Sequence, residues 1–469
     1  MTRLLFILLA LGSSLHAAQP NVLFMIVDDL TTTLGCYGNQ SVRTPGMDAL
    51  AARGVRFDRA YTQFALCNPS RCSFLMGCYP ERTGVMDLTT SLRKALPDEV
   101  TLPQHFKNNG YATGRVGKVF HVPDPKTKLD VELGSELHRD NEILNEAKTA
   151  NDPDDKPRSK AKGESYNRTY AASARPAADF TDYAIADDAI ATLEQFKAKP
   201  FFLAVGFIRP HTPFVAPKAF FEGIDKTQLT LPPFYREGGE DLTPLPKASL
   251  RPNNNVFRYA APTADEARDA MRAYLASTSF VDSQIARVLE KLRELHLDEN
   301  TIIVLTGDHG YQLGEHGLWA KQTLFEGANH VPLIIAAPGV KPGARSGLAE
   351  QVDIYPTLCD LAGLPKPKHL QGRSLKPMLD DPAAKGKQVA ISTMIAPHTK
   401  QTGHSVRTDA FRYIVWEGGE ELLYDLRTDP DELNNLADKP TQTERMSRMR
   451  ERLAAHLSVV RKSLSFQNR

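Results

Sequence analysis

The sequence predicts a three-layer α/β sandwich on a mainly parallel central sheet, with a small α+β subdomain after it. Three observations predict this. Short, almost unbroken apolar runs recur along the chain, as strands buried on both faces require. Amphipathic helical stretches lie between those runs, the alternation that builds a parallel sheet covered on both sides. After about Leu379 the pattern changes to hairpin-like segments and a final helix.

Taken in order, the chain opens with Arg3, an apolar run from Leu4 to Leu11, and a small-residue region at Leu15-His16-Ala17-Ala18. This is the pattern of a cleaved export signal over residues 1–18, too short to span a bilayer. A secreted or periplasmic protein without stable membrane insertion is expected. Asn21 to Val27 reads as the first buried strand. Thr44-Pro45 starts a helix that Gly54 can end. Ile185, Ala189, Leu193 and Phe196 form a helical stripe that stops before Pro200. Strands are expected at Phe201 to Phe207, Thr301 to Thr306 and Val331 to Ala337. Thr263 and Glu266 have capping-box spacing ahead of an amphipathic stretch to about Leu295. Pro123 to Asn167 is polar and poor in apolar residues, a solvated loop or, beside a pocket, a tuner of substrate choice. Near the end, Tyr413 to Trp416, a Gly418-Gly419 turn and Leu422 to Tyr424 predict a hairpin, and Thr441 to Val459 a helix. The expected division is 1–18, 19–379 and 380–469.

The chain has 469 residues, with 57 basic and 56 acidic side chains. That balance excludes a protein whose affinity for nucleic acid or anionic membrane depends on surplus positive charge. Local basic pockets for a small anion remain compatible with it. Five cysteines in an exported chain leave one thiol over, and Cys67 is the candidate.

Two acidic signals stand at strand ends. Asp28-Asp29 follows the first strand, and Asp308-His309 follows Thr301 to Gly307. Ligands of parallel α/β sheets gather beyond the carboxyl ends of strands. Neighbouring strand residues point to opposite faces, so such a pair converges only where the chain turns, as Gly307 and Gly310 permit. Two roles fit each pair: capping the next helix, or holding a hard divalent cation such as Ca²⁺ or Mg²⁺ with carboxylates and one imidazole.

Leu66-Cys67-Asn68-Pro69-Ser70-Arg71-Cys72-Ser73-Phe74-Leu75-Met76-Gly77 resembles, position for position, the Cys-x-Pro-Ser-Arg signature of the type I formylglycine-dependent sulfatases. A free thiol in a loop is the plain alternative for an isolated cysteine. The resemblance implies that a maturation enzyme oxidises Cys67 to formylglycine, whose metal-ligated gem-diol attacks sulfur with one hydroxyl and expels sulfate with the other. Ordinary Ser or Cys would leave a stable sulfo-ester. It further implies that Arg71 steadies residue 67 and that Asp28, Asp29, Cys67, Asp308 and His309 hold the metal.

Gly117-Lys118-Val119-Phe120-His121 resembles the segment whose lysine binds a sulfate oxygen and whose histidine takes the gem-diol proton. Arg209-Pro210-His211-Thr212-Pro213-Phe214 resembles the leaving-group segment, making His211 the general acid. Lys321 matches the lysine that contacts sulfate and leaving oxygen. The resemblance runs from Asn21 to Leu426 and implies an alkaline-phosphatase-like fold. Gly-Lys-Val-Phe-His, Pro-His-Thr-Pro-Phe and Gly-Glu-His-Gly-Leu-Trp-Ala-Lys are most similar to the iduronate-2-sulfatase branch, which takes 2-O-sulfate from uronic acids of glycosaminoglycans. A sulfated carbohydrate is therefore the expected partner, with Arg209 as a candidate contact for a uronate carboxylate. The competing readings are a phosphonate or phosphate monoester hydrolase on the same scaffold, and an inactive glycan-binding homologue.

Overall fold

A computed structural model describes residues 19–122, 133–135, 169–235, 245–251, 256–257 and 262–465. The expected export signal and most of the polar stretch from Pro123 to Asn167 lie outside the described residues. Among the described residues no helix is long and apolar enough to cross a membrane.

The strands of the main sheet are β1 (Asn21–Val27), β2 (Val55–Tyr61), β3 (Ala112–Gly117), β4 (Leu133–Ser135), β6 (Phe201–Phe207), β8 (Thr301–Gly307), β9 (His330–Ala336), β10 (Gly343–Arg345) and β11 (Ala349–Glu350). Their order is β10-β2-β9-β8-β1-β6-β3-β4, with β11 also on β2. A separate parallel pair joins β5 (Tyr170–Ser173) to β7 (Phe214–Pro217). The short strand β4 falls inside the stretch expected to be loop and pairs in parallel with β3.

Every residue of β1, β6 and β8 is buried, because each strand is covered on both faces. The pleat divides β1 between two cores. Val22, Phe24 and Ile26 pack with Phe74, Leu75, Phe106 and Leu358. Leu23, Met25 and Val27 pack on the opposite side with Leu50, Ile185, Leu193, Val281 and Ile285. The helices supplying these residues are α1 (Pro45–Arg53), α2 (Cys67–Met76), α3 (Leu102–Asn108), α4 (Thr181–Phe196), α5 (Ala264–Glu294) and α6 (Ile354–Leu361). The architecture is the expected three-layer sandwich.

Local signals explain most boundaries. The capping box of α5 forms, with the Thr263 side chain accepting from the Glu266 N–H and the Glu266 carboxylate accepting from the Thr263 N–H. The strand expected near Val331 is present as β9, but it runs antiparallel to both β2 and β8. A run of apolar residues records burial on both faces and says nothing about direction.

The second sheet is an antiparallel meander of β12 (Ala390–Ile395), β13 (Thr402–Arg407), β14 (Phe411–Trp416) and β15 (Glu421–Asp425). The expected hairpin is β14–β15, turning at Gly419 with φ +90°. One face of this sheet packs Ile391, Val406, Tyr413 and Leu423 against Met446, Met449 and Leu453 of α7 (Thr443–Ser465). The other face packs Met394, Ile414 and Trp416 against Phe64, Leu66 and Leu324. Buried Arg412 ties the two sheets together through ion pairs to Glu326 and Glu432. The second sheet thus buttresses the segment that leads directly into Cys67.

Candidate active site

Four adjacent strands, β8, β1, β6 and β3, run parallel and end at the same edge of the sheet. Asp308 and His309 follow β8, Asp28 and Asp29 follow β1, Arg209 and His211 follow β6, and Lys118 follows β3. This is the crevice where parallel sheets bind ligands. Asp29 adopts φ +60°, a left-handed turn that brings it round beside Asp28 instead of onto the opposite face. Gly307 is required for a related reason: a β-carbon there would lie 2.5 Å from the Leu30 carbonyl oxygen.

Cys67 is the first residue of α2 and is 1% exposed. Its sulfur lies 3.4 Å from Asp28 Oδ1, 3.3 Å from His309 Nε2 and 3.1 Å from Lys321 Nζ. Lys321 also donates to Asp29 Oδ1 at 2.8 Å, and Lys118 pairs with Asp28 Oδ2. Burial and the Asp28 carboxylate push the Cys67 thiol up, but Lys118, Lys321 and His309 outweigh them and hold it well below the usual thiol range. The helix N-terminus adds to this field. Surroundings that stabilise an anionic sulfur would equally stabilise an anionic oxygen on residue 67.

Arg71, one turn into α2, is fully buried. It donates to Asp308 Oδ2 at 2.9 Å, bonds the Lys118 carbonyl, and lies 3.6 Å from Asp28 Oδ1. Asp308 Oδ1 accepts the backbone N–H groups of Asp29 and His309 at 3.0 and 2.9 Å. Burial and the nearby Asp28 push Asp308 up to about 7, whereas Asp28, despite its burial, is held low by Lys118, His211, Arg71 and Lys321.

Asp28, Asp29, Cys67 and His309 can each point one donor atom into a space where all four atoms lie within 4.8 Å of one another. Asp29 Oδ2 is buried there without a hydrogen-bond partner. An orphaned carboxylate oxygen among oxygen and imidazole donors is what a hard divalent cation would satisfy, so these residues fit the implied metal. Asp308 stands beside them, 3.6 Å from His309 Nε2, with its oxygens already engaged by Arg71 and backbone N–H groups.

His211 sits at the outer side of the cluster, its side chain 23% exposed and its Nε2 4.0 Å from Asp29 Oδ2. Nδ1 contacts the Thr212 carbonyl at 2.6 Å, which assigns the Nδ1 proton and aims Nε2 at the site. Burial disfavours its charge, and Lys321 does too, but Asp29 and Asp28 raise its pKa above the ordinary value. His121 lies half-buried just beyond Lys118.

Arg209 corrects an expectation. It is 1% exposed, donates from Nε to the Val215 carbonyl at 2.8 Å, and lies over the Phe180 ring. Its backbone N–H bonds buried Asp182. A guanidinium packed in this way props the loop that carries His211 and presents no surface to a substrate carboxylate.

Several supporting residues were not singled out in the sequence. Ser70 bonds the Asp308 carbonyl, as does Thr62 at 3.2 Å. Gln351 bonds the Gly307 carbonyl and Thr306, while Tyr274 donates to the Asp29 carbonyl at 2.7 Å. Ser70 lay inside the quoted motif; the others are isolated polar residues that long-range contacts bring under the site.

Comparison with known proteins follows the same lines. Residues 20–364 match the Sulfatase family profile, and residues 314–458 match the profile described as N-sulphoglucosamine sulphohydrolase, C-terminal. The chain is 34% identical to iduronate 2-sulfatase of Homo sapiens, covering 87% of this chain and 88% of that one. It is 34% identical to a sulfatase of Formosa agariphila, covering 90% and 83%. A solved enzyme in complex with its substrate D-glucosamine-2-N,6-O-disulfate superposes with a TM-score of 0.77 at 25% identity, covering 95% and 98%. A phosphonate monoester hydrolase from Silicibacter pomeroyi superposes equally well, at 0.77 and 26% identity, covering 93% and 95%.

Proposed function

The chain belongs to the sulfatase family of sulfuric ester hydrolases, and from that premise we propose that it desulfates a sugar of a polysaccharide, the leading substrate being the 2-O-sulfate of a uronic acid. The observation that carries the reading is the convergence of Lys118, Lys321, His309 and the α2 N-terminus on residue 67, next to the Asp28–Asp29 pair. The uronate 2-O-sulfate is supported by the name of the human relative, and a sulfated sugar in general by the bound substrate of the solved neighbour.

Formylglycine made from Cys67 by a maturation enzyme would supply the attacking oxygen, and Ca²⁺ or Mg²⁺ held by Asp28, Asp29, residue 67 and His309, with Asp308 beside them, would offset charge on the sulfate. The chain's own groups do the rest. Burial works against charge on Lys118 and Lys321, but the neighbouring Asp28 and Asp29 keep both as ammonium ions, placed to bind sulfate oxygens. Arg71 ties residue 67's helix to Asp308 and to the backbone of Lys118, so nucleophile, carboxylate and sulfate-binding cation keep one geometry. His211 Nε2, on the more open side, delivers a proton to the leaving sugar oxygen. His121, beyond Lys118, is the acceptor for the proton on residue 67. Burial of the cluster excludes water and strengthens each of these interactions. Export through the N-terminal signal places the enzyme outside the cytoplasm, where polysaccharide substrates are met.

The test begins with the mass of the peptide containing Cys67, from protein produced with a maturation enzyme. Formylglycine lowers it by about 18 Da. Sulfate release is then measured on sulfated sugars, with a phosphonate monoester as the rival. Turnover of the phosphonate far above every sulfate ester would replace this reading with that of the Silicibacter neighbour.

A further inference from the structure

A further cation borders the site. Arg251 ends the described segment Leu245–Arg251, and that segment is pinned in place. Ala248 is buried among Phe64, Leu66 and Trp416, and Ser249 accepts the Trp416 indole N–H at 2.8 Å. The Arg251 guanidinium donates to the backbone carbonyl of Lys321 at 3.1 Å. Lys321 sends its own side chain the other way, to Cys67 and Asp29. The two cations are therefore separated by the span of one lysine residue.

Arg251 differs in its partners from Arg71 and Arg412. Arg71 pairs with Asp308, and Arg412 pairs with Glu326 and Glu432. Arg251 is half-buried, and among the described residues it forms no ion pair. Its burial pulls its pKa below the usual arginine value, and Tyr311 and Asp29 oppose that pull without cancelling it. A guanidinium has five N–H donors, and one backbone carbonyl leaves most of them without a described acceptor. A partly desolvated cation with spare donors is costly unless an anion arrives.

We propose that Arg251 is the specificity-determining cation of this active site, receiving the carboxylate of a uronic acid while that sugar's sulfate is held between Lys118 and Lys321. The inference rests on the sulfatase reading above. A flat two-oxygen carboxylate matches the guanidinium fork better than a tetrahedral sulfate does. A uronate ring carries its carboxylate across from its 2-O-sulfate, so a sugar whose sulfate meets the Lys321 ammonium can turn its carboxylate toward Arg251, which lies against the Lys321 backbone. This is the contact that Arg209, packed beneath its loop, does not offer.

The experiment compares three esters: a 2-O-sulfated uronate glycoside, its carboxyl methyl ester, and 4-methylumbelliferyl sulfate. Arg251→Ala is expected to lower kcat/KM for the free acid by about 10- to 100-fold more than for the other two, chiefly through KM. Arg251→Lys should recover part of the loss, since charge returns without the fork. Thermal unfolding of both variants separates this from misfolding. Equal losses on all three esters would overturn the inference and make Arg251 a structural prop of Lys321. Wild-type enzyme that prefers a disulfated sugar lacking a carboxylate would overturn the carboxylate assignment while the sulfatase reading stands. Wild-type protein with converted Cys67 that cleaves none of these esters would bring down the functional reading itself.

Discussion

Lys321 holds its ammonium 3.1 Å from the sulfur of Cys67. The same nitrogen donates to Asp29 Oδ1 at 2.8 Å, so it links a carboxylate of the candidate metal cluster to residue 67. On the proposed mechanism, a group in that place would stabilise charge that grows during sulfate transfer. Lys321→Ala should reduce kcat by about 10²- to 10³-fold, as loss of one preorganised charge-stabilising donor does elsewhere. Lys321→Arg should restore little, because a planar fork cannot occupy the point between sulfur and carboxylate. Steady-state kinetics on a sulfate ester check this, and near-wild-type kcat in the alanine variant would remove Lys321 from the mechanism.

Metal uptake should be coupled to proton release. His309 is buried, which disfavours its charge, but Asp308 and Cys67 raise its pKa to about 9. Nδ1 contacts the Gly310 carbonyl, leaving Nε2 to face Cys67 and Asp29. A metal takes only the neutral ring, so below about pH 9 binding must expel a proton. The affinity for Ca²⁺ or Mg²⁺ should therefore rise with pH and level off above about 9. Calorimetry on the unconverted Cys67 protein, in buffers of different ionisation enthalpy, should find about one proton released per ion at pH 7. No release, with affinity independent of pH, would mean that His309 is not a ligand.

His211 should matter in proportion to how badly the leaving group needs a proton. A sugar alkoxide is a poor leaving group, whereas an activated phenolate departs unaided. His211→Ala is expected to lower kcat on a sulfated sugar by about 10²- to 10⁴-fold. On an arylsulfate with an acidic phenol the loss should be at least tenfold smaller, by the Brønsted argument. The measurement is kcat across a series of leaving groups. An equal loss across the series would assign His211 to binding instead.

How much of this was legible before the structure follows from the range of each signal. The strands β1, β6 and β8 announce themselves because burial on both faces demands apolar residues throughout. Asp28-Asp29 and Asp308-His309 drew notice because two charged pairs stand at the ends of such strands, although capping of the next helix would look the same in the sequence. The direction of β9 was illegible, since burial on both faces looks the same in either orientation. Arg209 misled for a similar reason: its neighbours in sequence mark a functional loop, but Val215 and Phe180 decide which way its side chain goes. Thr62, Gln351 and Tyr274 gain their roles through partners distant in the chain, and no local pattern records them.

Gly206 is a position where one methyl group should disturb the chemistry from behind. It lies in β6 opposite Gly117 of β3, and its carbonyl accepts the Lys118 N–H at 2.8 Å. A β-carbon on Gly206 would stand 1.9 Å from the Lys118 carbonyl oxygen and 2.2 Å from its carbon. Those are backbone atoms and cannot swing aside. The Lys118 carbonyl is also bonded by Arg71, and the Lys118 side chain pairs with Asp28, so displacement of the backbone moves the ammonium proposed to bind sulfate and loosens the arginine behind residue 67. Gly206→Ala should cost about 1–3 kcal/mol of stability, the usual range for overpacking a core. Its effect on kcat should be larger than that destabilisation explains, at least tenfold in folded protein, since small misplacements of catalytic groups are expensive. Thermal unfolding and kinetics on the same preparation test the pair of effects. A variant that loses stability but keeps its rate would show that the position of Lys118 tolerates the shift.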